Sequence, residues 1–210
     1  MRLLALCAVI ALCVAQDPAQ GWTGYATARG SGKIITFAQA TWTVPSNPRD
    51  PGLFFGIWFG IETSDNLNLI QPVMPWTGDD WQIYNEVFQW SPEDNFNSES
   101  HRVETGNTII GTVTYDEASS SYIMNNTCVE CDWSVTSKIP IQRGPSGEPK
   151  RYDHLWVVLE KTTSDCAQYP PDDKVVFRNI TIAWDNKVES PQWQTNYVDN
   201  VCDARASVVD

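Results

Sequence analysis

The sequence predicts an all-β protein folded as one sandwich domain, and three observations carry that expectation. Short apolar or alternating runs recur along the chain, each closed by a turn rich in Gly, Pro or Asn. No long window carries the apolar period of a helix. The 13 prolines argue against long helices, and the 10 tryptophans require a large aromatic core or an exposed binding floor. A helical bundle is excluded, and 210 residues suit a single domain of the sandwich class. Prolines are expected in the loops, outside central strands.

Residues 1–15 read as a secretory signal peptide: Met1-Arg2 is a positive start, Leu3 to Val14 is apolar, and Cys13-Val14-Ala15 offers small residues for cleavage. That run is shorter than the roughly 20 residues needed to span a bilayer. The mature domain is therefore expected at 16–210, secreted and extracellular. Lys33 to Val44 alternates apolar and polar before Pro45. Leu53 to Ile61 is almost continuously apolar, as in a strand buried on both faces. Leu67 to Val73 puts Leu67, Leu69, Gln71 and Val73 on one face, Trp81 to Trp90 is aromatic-rich, and Thr108 to Tyr115 is a strong strand. Tyr122 to Met124, Leu155 to Lys161 and Val175 to Trp184 complete the set. No internal repeat, linker or low-complexity tract interrupts them.

The formal net charge of −12 argues against nucleic acid and against anionic membrane as partners, since both favour a positive face. Removal of the leader takes Cys7 and Cys13 with it and leaves Cys128, Cys131, Cys166 and Cys202. In an oxidising compartment these suggest two disulfides, with three possible connectivities. Cys128-Val-Glu-Cys131 also resembles half a zinc site, but a second ligand pair is missing, so no metal is expected. Asn125-Asn-Thr127 and Asn179-Ile-Thr181 are glycosylation sequons, which belong on the surface of a secreted protein.

Few residues carry recognisable chemistry. No nucleophile elbow or phosphate-binding glycine loop occurs, and Asp79-Asp80 and Asp172-Asp173 lack the spacing of a calcium loop. No cofactor is expected. Most tryptophans are expected in the core, a minority along a groove that would bind glycan or extracellular matrix. Glu160 ends the run Leu155 to Leu159 and shares a face with Trp156 and Val158. A buried carboxyl there holds its proton longer and serves as an acid or base in acidic medium, whereas an exposed one only marks the strand's exit. Gln71 is a polar residue on an apolar face, so it is either a structural hydrogen-bonder or a group that touches substrate. Glu86 with Glu160 is a candidate pair of carboxyls for glycoside hydrolysis.

Taken in order, Trp22-Thr-Gly-Tyr25, Ala40-Thr-Trp-Thr-Val-Pro-Ser46, Trp58-Phe-Gly-Ile61, Leu69-Ile-Gln71, Tyr84 to Trp90, Glu104-Thr-Gly-Asn-Thr108 and Leu155 to Glu160 resemble the eqolisins, a family of acid-acting glutamic peptidases. The resemblance covers about residues 21–185 and rests on the ordered set rather than on any single motif. It implies a concanavalin-like sandwich of two antiparallel sheets and a protein or peptide substrate. It also implies a catalytic dyad of Gln71 and Glu160. The Glu would take a proton from water and return it to the leaving amine, and the Gln amide would hold that water and stabilise the oxyanion. Trp58, Glu62, Gln89 and Trp90 would contact the substrate. The chain departs from the family pattern at Pro72, which replaces Thr after the Gln, at Glu62, which replaces Asp, and at Gln89, which replaces Glu.

Overall fold

The computed structural model describes residues 18–49, 54–90, 93–162 and 165–209. The expected signal peptide at 1–15 lies outside the described residues. Among the described residues fourteen strands run in chain order: β1 (Trp22–Arg29), β2 (Ile35–Thr43), β3 (Phe55–Thr63), β4 (Asn68–Trp76), β5 (Trp81–Trp90), β6 (Glu93–Asn97), β7 (His101–Val103), β8 (Thr108–Asp116), β9 (Ser121–Cys128), β10 (Trp133–Pro140), β11 (Tyr152–Lys161), β12 (Arg178–Trp184), β13 (Lys187–Val188) and β14 (Gln194–Asn196). One sheet has the order β14-β1-β11-β3-β4-β5-β6, with β7 also paired to β5, and the other has the order β10-β9-β8-β2-β12-β13. Neighbouring strands are antiparallel throughout, so the molecule is the all-β sandwich of two antiparallel sheets that the sequence predicts.

The period of two sorts each strand between two environments. From β3, Phe55, Ile57, Phe59 and Ile61 enter the core between the sheets, where Trp42, Ile109, Val113 and Met124 arrive from the opposite side. Trp58 leaves on the outer face, where it joins Trp22, Tyr25 and Trp156 in a second aromatic cluster. These rings meet edge-to-face with centroids 5.0–5.8 Å apart, a geometry that adds about 0.5–1.5 kcal/mol per pair beyond area burial. Both faces of β3 are thus buried, as its continuous apolar run requires. Seven tryptophans are buried and the other three partly so, which leaves no exposed tryptophan floor.

The expectation that prolines avoid central strands fails at Pro72 and Pro75, which sit inside β4 between β3 and β5. Each lies beside an interruption in a ladder, where a missing N–H costs little. The β3–β4 pairing skips from Trp58↔Val73 to Ile61↔Ile70, and the β4–β5 pairing skips from Val73↔Tyr84 to Trp76↔Trp81. At the second break the other sheet supplies the bonds: Asn126 Nδ2 on β9 donates to the carbonyls of Val73 (3.2 Å) and Tyr84 (3.1 Å). Reciprocally, Asn85 Nδ2 on β5 donates to Met124 O, Val135 O and Ser137 Oγ. Two buried amides stitch the sheets together directly beneath the outer face of β4 and β5.

Among the described residues, four cysteines form the bonds Cys128–Cys131, which closes the β9–β10 turn, and Cys166–Cys202, which ties the segment after β11 to the C-terminal region. Asn125 lies on the outward side of β9, and Asn179 is exposed at a bulge in β12.

Candidate active site

The outer face of the larger sheet carries a cavity of about 240 Å³, bounded by side chains from β1, β3, β4, β5 and β11. Its floor is written in the β3 segment Phe-Gly-Ile-Trp-Phe-Gly-Ile-Glu. Alternation sends Gly56, Trp58, Gly60 and Glu62 outward, so the only bulk among the first three is the Trp58 ring. Close approach requires Gly60, and the Phe54 ring lies over Gly56. A Cβ on Gly60 would lie 2.8 Å from Gln71 Cβ and 2.8 Å from the Ile70 carbonyl, and one on Gly56 would lie 2.8 Å from the Phe54 ring.

Gln71 on β4 and Glu160 on β11 both line this cavity. They share a face but do not occupy adjacent strands, since β3 lies between β4 and β11. Glu160 pairs across the sheet with Gly56 on one side and Trp22 on the other. Its Oε2 accepts a 3.0 Å hydrogen bond from Trp58 Nε1, which fixes the carboxyl over the floor. Gln71 faces Glu86 on β5, and Gln71 Nε2 lies 2.6 Å from Glu86 Oε2. Gln71 Oε1 is buried with no hydrogen-bond partner. Tyr84 and Gln20 add to the polar set, and Trp22, Phe54, Leu69, Phe88 and Trp90 form apolar walls.

Burial pushes the Glu86 carboxyl up to about 7; the Gln71 hydrogen bond opposes that rise and the charge of Glu160 adds to it. Burial and the same two carboxyls raise the Tyr84 phenol, which stays protonated. The cavity therefore holds an amide, two acids that repel one another's charge, and an apolar lining. That inventory suits activation of a water against a carbonyl. It is also the paired-carboxyl inventory of a glycosidase.

Of the substrate contacts expected from the sequence, Trp58 and Trp90 line the cavity. Glu62 and Gln89 lie outside it. Glu62 is fully buried at the other end of the same face, where its Oε2 accepts from Trp156 Nε1 (2.8 Å) and Asn66 Nδ2 (2.7 Å). Gln89 lies on the opposite side of β5 and accepts from Asn68 Nδ2 at 2.8 Å. Glu86, read in the sequence only as half of a glycosidase pair, turns out to be the direct partner of Gln71.

Among solved structures, scytalido-glutamic peptidase with a transition state analog inhibitor resembles this chain with a TM-score of 0.62 at 16% identity, over 86% of this chain and 90% of that one. SCP-B, described as a member of the eqolisin family and solved with the tripeptide Ala-Ile-His, gives a TM-score of 0.56 at 17% identity, over 86% and 89%. At these identities the likeness speaks for the fold. Comparison with curated protein sequences finds no match. The profile of the Peptidase A4 family matches residues 20–199, a span that takes in Gln71, Glu86 and Glu160 together with every wall of the cavity except Ala19, and the chain accordingly belongs to the Peptidase A4, or eqolisin, family.

Proposed function

We propose that this chain is a secreted glutamic endopeptidase that cleaves extended peptide at acid pH, with Glu160 as general acid and base and Gln71 as oxyanion donor. The observation that carries the reading is the convergence of Gln71 and Glu160 on one aromatic-walled cavity in a member of this family. An extended peptide lying across the outer face would bring a scissile carbonyl over the Trp58 floor. Glu160 takes a proton from water, the water attacks the carbonyl, and the Gln71 amide nitrogen donates to the developing oxyanion. Glu160 then gives the proton to the leaving amine. The Trp58 indole holds Glu160 in place, and Trp22, Phe54, Phe88 and Trp90 favour apolar side chains around the bond. Two disulfides and outward-lying sequon asparagines support secretion.

The test is proteolysis of a denatured protein by the purified chain, from about pH 2 to 7, with pepstatin present to silence aspartic peptidases. Cleavage at acid pH that disappears in Glu160→Gln supports the assignment. Folded protein that releases reducing sugar from glycan and cuts no peptide would move the reading to glycoside hydrolysis by Glu86 and Glu160.

A further inference from the structure

The wall of the cavity beside Glu160 is a single turn. Trp22 N donates to Ala19 O at 3.2 Å, and the third residue of that turn, Gly21, has a φ of +96°, which glycine adopts without strain. Ala19, Gln20 and Trp22 all line the cavity. The turn meets β11 next to the carboxyl: Trp22 pairs with Glu160, and Lys161 N donates to Gly21 O at 2.9 Å. It meets the floor through the Trp22 ring, whose centroid lies 5.0 Å from that of Trp58, the indole that donates to Glu160.

On its other side the turn is held by the C-terminal region. Val198 N and Asp199 N donate to Trp22 O at 2.8 and 3.2 Å, and Asp199 Oδ2 accepts from Gly21 N at 2.7 Å. Among these contacts that carboxylate is the one side-chain group. The rest are backbone bonds that do not depend on residue type. Cys202 follows three residues later and is bonded to Cys166 on the segment after β11. The stretch that carries Asp199 is therefore tethered to the strand that carries Glu160. The cleavage chemistry uses neither Asp199 nor the tether.

We propose that Asp199 is a positioning residue for Glu160. Its carboxylate holds the Gly21 amide, which keeps the Ala19–Trp22 turn against β11, the Trp22 ring against Trp58, and the Trp58 indole on the Glu160 carboxyl. Asp199 is not among the residues that line the cavity, so it acts through the turn. When the carboxylate is removed, Gly21 N–H loses that acceptor and the turn is free to shift. A displacement of about 1 Å in a reacting group is enough to slow an enzyme by up to about a hundredfold. The inference rests on the reading of Glu160 as general acid and base, and it adds a residue that sets the pose of Glu160 from outside the cavity.

Asp199→Ala and Asp199→Asn test this together. Alanine removes the acceptor, whereas asparagine keeps one in its side-chain oxygen and removes only the charge. In peptide cleavage, well below the melting of each variant, Asp199→Ala is expected to lower kcat about tenfold with KM within about twofold. Asp199→Asn is expected to restore most of the wild-type turnover. Unchanged kcat in Asp199→Ala, a loss confined to KM, or an asparagine variant no better than the alanine one overturns the proposal. If Asp199→Ala does not fold, Asp199→Ser replaces it in the same comparison. A second readout does not depend on turnover: the nuclear magnetic resonance signal of the Trp58 indole N–H, identified by its loss in Trp58→Phe. Movement of the Trp22 ring changes the ring current at that proton, so the signal is expected to shift in Asp199→Ala and to keep its wild-type position in Asp199→Asn. A signal that moves in both variants, or in neither, overturns the proposal. The expected shifts in a chain that cuts no peptide at any pH would sink the peptidase reading while supporting the hold of Asp199 on this side of the cavity.

Discussion

Two glutamate–tryptophan pairs sit on one face of one sheet, and they differ in their cross-strand neighbours. Glu160 of β11 accepts from Trp58 of β3 at 3.0 Å, and Glu62 of β3 accepts from Trp156 of β11 at 2.8 Å. The Trp22 ring touches both indoles, with centroids 5.0 and 5.1 Å away. Opposite Glu160 stand Gly56 and Trp22, and the carboxyl lines the cavity. Opposite Glu62 stands His154, with Nδ1 at 3.9 Å, and Asn66 seals the remaining side. The same carboxyl and the same indole donor thus make a candidate acid in one place and a structural post in the other. Access to the cavity separates them.

Substitutions at the two ends should therefore fail in different ways. The largest expected effect is Glu160→Gln, which should lower kcat by about 10²–10⁴-fold with the thermal melting curve nearly unchanged. Glu62→Leu should do the reverse. It orphans the Trp156 N–H and the Asn66 amide, at about 1–3 kcal/mol each, so urea unfolding should show a loss of about 4 kcal/mol while the folded fraction keeps its turnover.

Glu86 sharpens the contrast through pH. Its folded-state pKa stands above the unfolded one, so the folded state holds the proton more tightly. The resulting stability is fully present below the unfolded carboxylate range, about 4.3, and is lost as pH rises through about 7. The loss across that window is on the order of 3 kcal/mol, and Glu86→Gln should flatten the slope in melts taken at each pH. The smallest effects should come from the indoles. Trp58→Phe should slow turnover about tenfold by freeing the Glu160 carboxyl, and Trp156→Phe should cost about 1–3 kcal/mol of stability with kcat intact. If the two phenylalanine variants behave alike, access is not what distinguishes the pairs.

Much of this was readable in the chain, because strands report themselves through alternation. Trp81 to Trp90 spans β5 as the sequence suggests, and Gln71 and Glu160 fall on the faces their i, i+2 neighbours indicate. The edge strands β6, β7, β13 and β14 are short, largely exposed and weakly patterned, so nothing marks them. Pro72 and Pro75 misled because a sequence shows a missing donor but not a gap in the ladder beside it. Gly56 and Gly60, flanking Trp58 at strand period, were a legible sign of close packing around that ring. Asn126 was legible too: in Tyr122, Met124, Asn126 and Cys128 it is the polar member of an inward-facing set. The Gln71–Glu86 contact joins strands whose register no local pattern specifies, and only the fold reveals it.

The exchanged asparagine bonds between the sheets also govern the order in which the molecule comes together. The Val73 and Tyr84 carbonyls accept from Asn126, 53 and 42 residues further along the chain, and the Asn85 amide nitrogen donates to β9 and β10. The β4–β5 hairpin that carries Gln71 and Glu86 cannot settle before the opposite sheet has docked, so closure of long loops precedes completion of the site. In refolding, peptide cleavage should return together with sheet docking rather than ahead of it, and the larger sheet alone should never cut.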